Sequence, residues 1–166
     1  GLARTFEGIY VLHLGGGNML VGLMIGFSAS SEILTMQFGQ KISSRLKNAH
    51  TLILSFGLSG VAYIGYALAP GAGWLLPLAI FKGLGFGLFF PTIVRIVNER
   101  APKEWVTTAQ SLRSVAMFGL APLLAGPLGG WIMDSISPQS IFVVSFSALG
   151  VAALLVGVAK ARRILD

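Results

Sequence analysis

The stretch WLLPLAIFKGLGFGLFFPTIV, residues 74–94, decides the fold of this chain. Lys82 is its only charged residue, and the other side chains leave no continuous polar face along a helix. About 20 residues of α-helix span the ~30 Å hydrocarbon core of a bilayer. A helix that is apolar all round is either buried in a large protein or spans a membrane. The pattern therefore predicts a transmembrane helix over residues 74–94.

Four further stretches of the same kind accompany this one. They occupy residues 18–38, 51–69, 105–133 and 140–159. The composition agrees, because 54% of the 166 residues are hydrophobic and 11% are charged, whereas a soluble domain carries about 25% charged residues. Five such helices in a row would leave a soluble protein without a polar surface. The sequence therefore predicts an all-α integral membrane protein.

The beginning of the chain differs from the five long stretches. Residues 9–14 are apolar but too short to cross a bilayer, and residues 15–18, GGGN, are typical of a turn. We interpret residues 1–14 as the outer end of a further span, partial here because its beginning is absent. We expect the chain to be a piece of a longer protein.

The distribution of cations predicts the topology. Nine of the twelve Lys and Arg residues lie after the first and third long stretches and in the C-terminal tail: Lys41, Arg45, Lys47, Arg95, Arg100, Lys103, Lys160, Arg162 and Arg163. The alternate connections, residues 70–73 and 134–139, contain none. Cytoplasmic loops are enriched in Lys and Arg, so we expect a multi-pass protein of the cell membrane with a cytoplasmic C-terminus. Cations that flank spans, instead of forming one basic face, argue against a nucleic-acid partner.

Ionisable residues within or at the edge of the apolar stretches are the candidate functional residues. Each costs at least ~2.5–3.5 kcal/mol to insert into a bilayer, so it usually faces a cavity or a partner. Helical spacing places several smaller polar residues beside them. The set comprises Glu7, Ser28, Ser31, Glu32, Thr35, Lys82, Gln110 and Arg113. We predict that these residues line a water-filled path for a solute or proton; the alternative is a set of structural ion pairs, with Arg113 reaching the interface.

Depth in the membrane predicts two contacts between these charges. Glu7 lies ~8–12 Å below the outer turn and Lys82 ~12 Å below the outer end of its span, counting the helical rise. Because their charges are opposite, we expect the two to pair. By the same reasoning Glu32 and Arg113, each ~9–12 Å from the inner end of its span, should approach each other directly or through water.

Other chemistries find little support in the sequence. The chain has no cysteine, and neither His13 nor His50 has the further ligands nearby that a metal site needs. The glycine-rich run at residues 83–87 lacks the spacing and the preceding strand of a nucleotide-binding loop. No set of Ser, His and Asp lies at one depth. We therefore expect no metal, no cofactor and no enzymatic activity.

Three motifs resemble the major facilitator superfamily of transporters. GLGFGLFFPTIVRIVNERAPKEWVTTAQSL, residues 83–112, is similar to the region of the tenth and eleventh helices, and GPLGGWIMD, residues 126–134, is similar to the close of the eleventh. Ser31-Glu32-Ile33, followed by Gly39 and a basic segment, resembles the eighth helix, especially in the branch related to oligosaccharide–proton symporters. The resemblance implies the C-terminal six-helix bundle of the major facilitator fold, with its first helix truncated.

The resemblance also implies a function. Such a protein is a secondary transporter that moves a small polar solute by alternating access, and we expect proton-coupled symport here. Because removal from water favours the protonated form of a carboxyl group, Glu32 is suited to carry the proton. The partners implied are the bilayer, the solute, the proton and an N-terminal six-helix half, in the same chain or in a paired protomer. Two alternatives remain open: efflux of a drug or metabolite, and a membrane scaffold or regulatory protein that does not transport.

Overall fold

Helices joined by short turns make up the part of the chain that the structure describes. This computed structural model describes residues 2–162, without the side chains of residues 40–45. Arg163 and the side chains of Lys41 and Arg45, which entered the topology prediction, lie outside the described residues. None of residues 2–162 belongs to a β-strand, and the predicted all-α class is confirmed.

Seven α-helices make up the described chain, joined by two 3₁₀ turns and one π turn. The α-helices are α1 (Leu2–His13), α2 (Asn18–Arg45), α3 (Asn48–Leu68), α4 (Leu75–Arg100), α5 (Val106–Ser114), α6 (Ala121–Ser135) and α7 (Ser140–Ala161). The 3₁₀ turns are Ala72–Trp74 and Lys103–Trp105, and the π turn, Val115–Leu120, joins α5 to α6.

Five continuous helical segments in the described residues are long and apolar enough to cross a membrane. They are Asn18–Gly39, Asn48–Leu68, Ala72–Arg100, Lys103–Ser135 and Ser140–Ala161. Because the fourth of these includes α5, the π turn and α6, the five segments and α1 make six helical units. Six helical units, the first of them short, is the number that the resemblance to the major facilitator superfamily implies.

Two helices run beyond their apolar stretches. α2 continues to Arg45, past the expected end of the span at residue 38, and α4 continues to Arg100, past residue 94. Both extensions are rich in Lys, Arg, Gln and Glu, which are good helix formers. Hydropathy therefore marks the apolar part of each helix, whereas the helix itself continues into the polar segment that follows.

α4 lies at the centre of the bundle and uses glycine on two of its sides. α4 packs against both α2 and α3, and α3 packs in turn against α7. Gly87 lies so close to α2 that a Cβ atom there would come 2.8 Å from the carbonyl oxygen of Glu32. Gly85 lies equally close to α3, where a Cβ atom would come 2.8 Å from the carbonyl oxygen of Ser55. Small residues let helices approach closely in lipid, so these positions fix the spacing on which the site depends.

The short helix α1 is held at its outer end by a tight turn. Gly15 has a positive φ of 78°, a conformation that glycine adopts without strain. The N–H of Gly16 then donates to the carbonyl of Val11 at 2.9 Å. α1 contacts α2, α6 and α7, and its buried face includes Glu7 and Tyr10. The turn thus directs an acidic residue of α1 into the bundle.

Candidate functional site

An ion pair between α1 and α4 lies inside the bundle. Lys82 Nζ donates to Glu7 Oε2, and the two side chains are only 12% and 11% exposed. Tyr66, on α3, donates its hydroxyl to the other carboxylate oxygen, Glu7 Oε1, at 2.7 Å. Both oxygens of the buried carboxylate therefore accept a hydrogen bond, as a charge removed from water requires. The pairing of Glu7 with Lys82 that depth and charge predicted is confirmed.

Aromatic packing holds Tyr66 in place beneath this pair. The Tyr10 hydroxyl donates to the backbone carbonyl of Tyr66 at 2.9 Å. The ring of Phe142, on α7, meets Tyr66 edge-on at 5.2 Å and Tyr10 at 4.7 Å between centroids. The pair and these rings together connect α1, α3, α4 and α7. Neither tyrosine was among the residues predicted from sequence, although a tyrosine in an apolar span needs a partner for its hydroxyl.

A cavity of about 380 Å³ opens beside the ion pair. Three charged side chains reach it, namely Arg4, Glu32 and Lys82. The remaining lining residues are Thr5, Ser28, Ser59, Tyr63, Phe86, Met117, Phe118 and Pro122. A second cavity of about 270 Å³ shares Arg4, Glu32 and Lys82 and adds Glu7. The size and the mixture of apolar walls with a few polar groups are typical of a small-molecule site.

Arg4 is the charged cavity residue that the sequence reasoning missed. Its guanidinium carbon lies 5.3 Å from the centroid of the Phe86 ring, a cation–π contact between α1 and α4. One signal could have identified it, since Arg4 stands three residues before Glu7 and so lies on a neighbouring face of the same short helix. The cavity region therefore contains two acidic and two basic side chains.

The predicted polar stripe on α2 divides between two environments. Ser28 and Glu32 line the cavity, which Arg4 and Lys82 also line. Ser31 instead donates its hydroxyl to the carbonyls of Ser28, at 2.9 Å, and of Ile80 on α4, at 3.2 Å. Thr35 donates to the Ser31 carbonyl at 2.6 Å. Ser31 and Thr35 therefore belong to the α2–α4 contact, and Ser28 and Glu32 to the cavity.

Arg113 forms contacts other than the one predicted for it. Its Nε donates to Gln110 Oε1 at 2.8 Å, and its guanidinium carbon lies 4.9 Å from the centroid of the Phe90 ring. Gln110 in turn donates to the carbonyl of Val94, at 3.0 Å. Within the described residues Arg113 forms no direct contact with Glu32, and an approach of the two through water stays a prediction. The guanidinium nitrogens of Arg113 donate instead to acceptors on α5 and in the π turn Val115–Leu120.

A π turn forms part of the cavity wall. Val115–Leu120 is a π-helical segment in the middle of the fourth long span, and Pro122 follows it near the start of α6. Met117, Phe118 and Pro122 all line the cavity. π segments inside α-helices occur frequently at functional sites. This wall supplies the apolar surface that faces the charged side chains.

Comparison with known proteins places this site in a family. A family model described as the MFS_1 like family matches residues 1–144. The chain belongs to the MFS_1 like family. The motifs at residues 83–112 and 126–134 had indicated the same superfamily, and that prediction is confirmed. A member of this family is a multi-pass membrane protein related to transporters, and membership favours transport over catalysis.

Two curated relatives agree with the MFS_1 like assignment. The uncharacterized transporter YwbF of Bacillus subtilis (strain 168) is 24% identical over 150 residues, which cover 90% of this chain and 37% of the relative. The uncharacterized MFS-type transporter Rv1250 of Mycobacterium tuberculosis (strain ATCC 25618 / H37Rv) is 29% identical over 114 residues, which cover 63% of this chain and 18% of the relative. The chain thus spans well under half the length of either relative.

Proposed function

We propose that this chain is the C-terminal half of a secondary transporter that moves a small polar solute by alternating access, coupled to protons through Glu32. The observation that supports the proposal most is the placement of Glu32 in a cavity with Arg4 and Lys82. A carboxylate that shares a cavity with two cations can exchange a proton when the occupancy of the cavity changes. A purely structural protein has little reason to keep such charges at this depth, because each is costly in hydrocarbon.

The proposal includes a partner and a location. The relatives are much longer than this chain, and transporters built from structural repeats bind their substrates near the midplane between the repeats. We expect an N-terminal six-helix half, in the same chain or in a paired protomer, to close the cavity from the side opposite α4. The assembly would lie in the cell membrane with the C-terminus of this chain in the cytoplasm.

Glu32→Gln tests the coupling. The full-length protein is reconstituted in liposomes, and uptake of radiolabelled lactose, uridine and benzenesulfonate is measured with and without an inward proton gradient. We expect the variant to keep exchange of the transported solute across the membrane but to lose uptake driven by the gradient, since glutamine is similar in size and carries no titratable proton. Glu104→Gln, the same change in the exposed turn Lys103–Trp105, is the matched control.

Three outcomes of this experiment are informative. Gradient-driven uptake that persists in Glu32→Gln would remove Glu32 from the coupling mechanism. Loss of both exchange and uptake in Glu104→Gln would show that the effect is not specific to the cavity. Absence of uptake for every solute in the wild-type protein would contradict transport of these solute classes and favour a scaffold or regulatory role.

A further inference from the structure

We propose that Arg4 is the anion-recognition residue of the cavity, and that the transported solute is a small organic anion with an aromatic or apolar body. The inference deepens the proposed function and rests on it, because it names the class of solute that the same cavity would take.

The first step is the difference between the two cations of the cavity. Lys82 already has an ionic partner in Glu7. Arg4 contacts the ring of Phe86, and no carboxylate among the described side chains lies within 4.0 Å of it. A guanidinium carries five N–H donors arranged as a planar fork, and those of Arg4 have no protein acceptor within the described part of the chain. Arg4 is therefore the cation in the cavity that can bind a further anion.

The second step is the chemistry that satisfies such a guanidinium. Carboxylate, sulfonate and phosphate groups accept two parallel hydrogen bonds from arginine, and this charge-assisted arrangement is roughly twice as strong as a neutral hydrogen bond. The contact with Phe86 orders the guanidinium before a ligand arrives. An anionic group on the solute would bind to the Arg4 guanidinium. The opposite charge and the planar arrangement of the N–H donors would both favour this complex.

The third step concerns the rest of the solute. Tyr63, Phe86, Met117, Phe118 and Pro122 form apolar walls around the charged groups. A cavity of about 380 Å³ is at the small end of the usual range for ligand sites. An anion attached to one aromatic ring or to a short apolar chain would match both the walls and the volume, whereas a strongly hydrated inorganic ion would leave the walls unused.

The fourth step couples the anion to the proton. Arg4 and Lys82 line the same two cavities as Glu32, and nearby cations favour the ionised form of a carboxyl group. Glu7 on α1 and Tyr63 on α3 are the other titratable groups lining the two cavities within the described residues. When a bound anion neutralises Arg4, one of the two cations that favour the Glu32 carboxylate is lost, so proton binding at Glu32 becomes more favourable. By linkage the proton then strengthens anion binding equally, and anion and proton move together without net charge.

The experiment measures binding and proton uptake by the purified full-length protein in neutral detergent. Benzenesulfonate is the probe, because it stays ionised at every accessible pH. We expect it to bind, to be competed poorly by the neutral benzenesulfonamide, and to cause proton uptake that a pH indicator records in weakly buffered solution. Arg4→Gln should weaken binding about tenfold or more, as expected for the loss of a charge-assisted pair. Arg4→Lys should lose less.

Two variants and one added lipid distinguish anion binding at Arg4 from the alternative explanations. Glu32→Gln should abolish the proton uptake, and Arg100→Gln, the same change at an exposed arginine at the end of α4, should leave binding unaltered. Equal binding by wild type and Arg4→Gln, or equal affinity for benzenesulfonamide, would overturn the proposal. Competition by added phosphatidylglycerol would show that a lipid headgroup occupies Arg4, which would also overturn it.

Failure of this inference can be told apart from failure of the proposed function. If lactose or uridine is taken up in a Glu32-dependent manner and benzenesulfonate does not bind, the result supports the proposed transport and contradicts the proposed role of Arg4. If benzenesulfonate binds through Arg4 and no solute of the panel crosses the membrane, the result supports the anion site and contradicts the proposed transport of these solutes.

Discussion

At the scale of single residues, the Glu7 carboxylate is stable inside the bundle because two helices satisfy it. Lys82 supplies the opposite charge and Tyr66 a neutral hydrogen bond. A buried pair of this kind need not add net stability relative to apolar residues, because removing both charges from water is costly. Removing only one partner of the pair lowers the stability of the protein, since the remaining charge is then buried alone.

A double-mutant cycle measures this asymmetry. We expect Lys82→Met to destabilise the protein by ~3–5 kcal/mol, because it leaves Glu7 without its cation. Glu7→Gln combined with Lys82→Met should be markedly milder, since no lone charge remains. Thermal unfolding of the full-length protein in detergent gives the comparison. If the double variant is as unstable as Lys82→Met alone, the pair has no energetic role.

Tyr66 provides a second prediction at the same scale. Tyr66→Phe removes the donor at 2.7 Å from Glu7 Oε1, and hydrogen bonds to charged groups contribute about 1.5–3 kcal/mol. We expect a loss of stability in that range in the same unfolding assay. Tyr63→Phe, one helical turn earlier on α3, is the matched control and should change stability little. Equal effects of the two variants would show that the hydrogen bond to Glu7 is not the cause.

The residues of the site were predictable to different degrees. Glu7, Glu32 and Lys82 could be identified because a charge in an apolar stretch is conspicuous, and depth along the helix was sufficient to pair Glu7 with Lys82. It was harder to predict whether a polar residue faces the cavity or a neighbouring helix. Ser31 and Thr35 share a stripe with Glu32, yet α4 covers them, because the stripe is wider than the part of it that faces the cavity. Equal depth did not bring Arg113 into direct contact with Glu32, because equal depth does not imply adjacent faces.

At the scale of elements, α4 determines how closely its neighbours approach. Gly85 faces α3 while Gly83 and Gly87 face α2, so one helix packs tightly on two sides. Glycines four residues apart, a spacing that lets helices approach closely in lipid, occur in three pairs along the chain. Gly83 and Gly87 make such a close contact, whereas a Cβ atom at any of Gly22, Gly26, Gly126 and Gly130 would meet nothing within 4 Å among the described atoms. Spacing alone does not reveal which small residues have a neighbour.

This difference gives a test with an internal control. A Cβ atom at Gly87 would come 2.7 Å from Thr35 Cβ and 2.8 Å from the Glu32 carbonyl oxygen. Since backbone atoms cannot move aside, Gly87→Ala should push α2 from α4 and destabilise the protein by ~1–3 kcal/mol. Gly126→Ala, in open surroundings on α6, should be tolerated. Comparable unfolding temperatures for the two variants would contradict the close contact of α2 with α4.

At the scale of the whole molecule, several polar contacts gather at one end of the bundle. Asn48, at the start of α3, donates to Glu99 Oε2 near the end of α4 at 2.9 Å. Lys160, near the end of α7, lies 3.0 Å from His50 Nε2 on α3. The cation-rich ends of α4 and α7 therefore share one side with the start of α3. Alternation of charge along the sequence predicted this grouping, because each connection between spans reverses the direction of the chain.

The side of the membrane on which that end lies is the last prediction. Cytoplasmic segments carry the excess of Lys and Arg, so we expect the end that contains residues 41–47, 95–103 and the C-terminal tail to face the cytoplasm. The chain has no cysteine, so single cysteines at Ser44, Gly71 and Ser137 can each report one connection, with any cysteines elsewhere in the full-length protein replaced. An impermeant thiol reagent should label Gly71→Cys and Ser137→Cys in intact cells, and Ser44→Cys only after permeabilisation. Labelling of Ser44→Cys together with protection of Gly71→Cys would reverse the orientation, and it would place the turn at Gly15 in the cytoplasm.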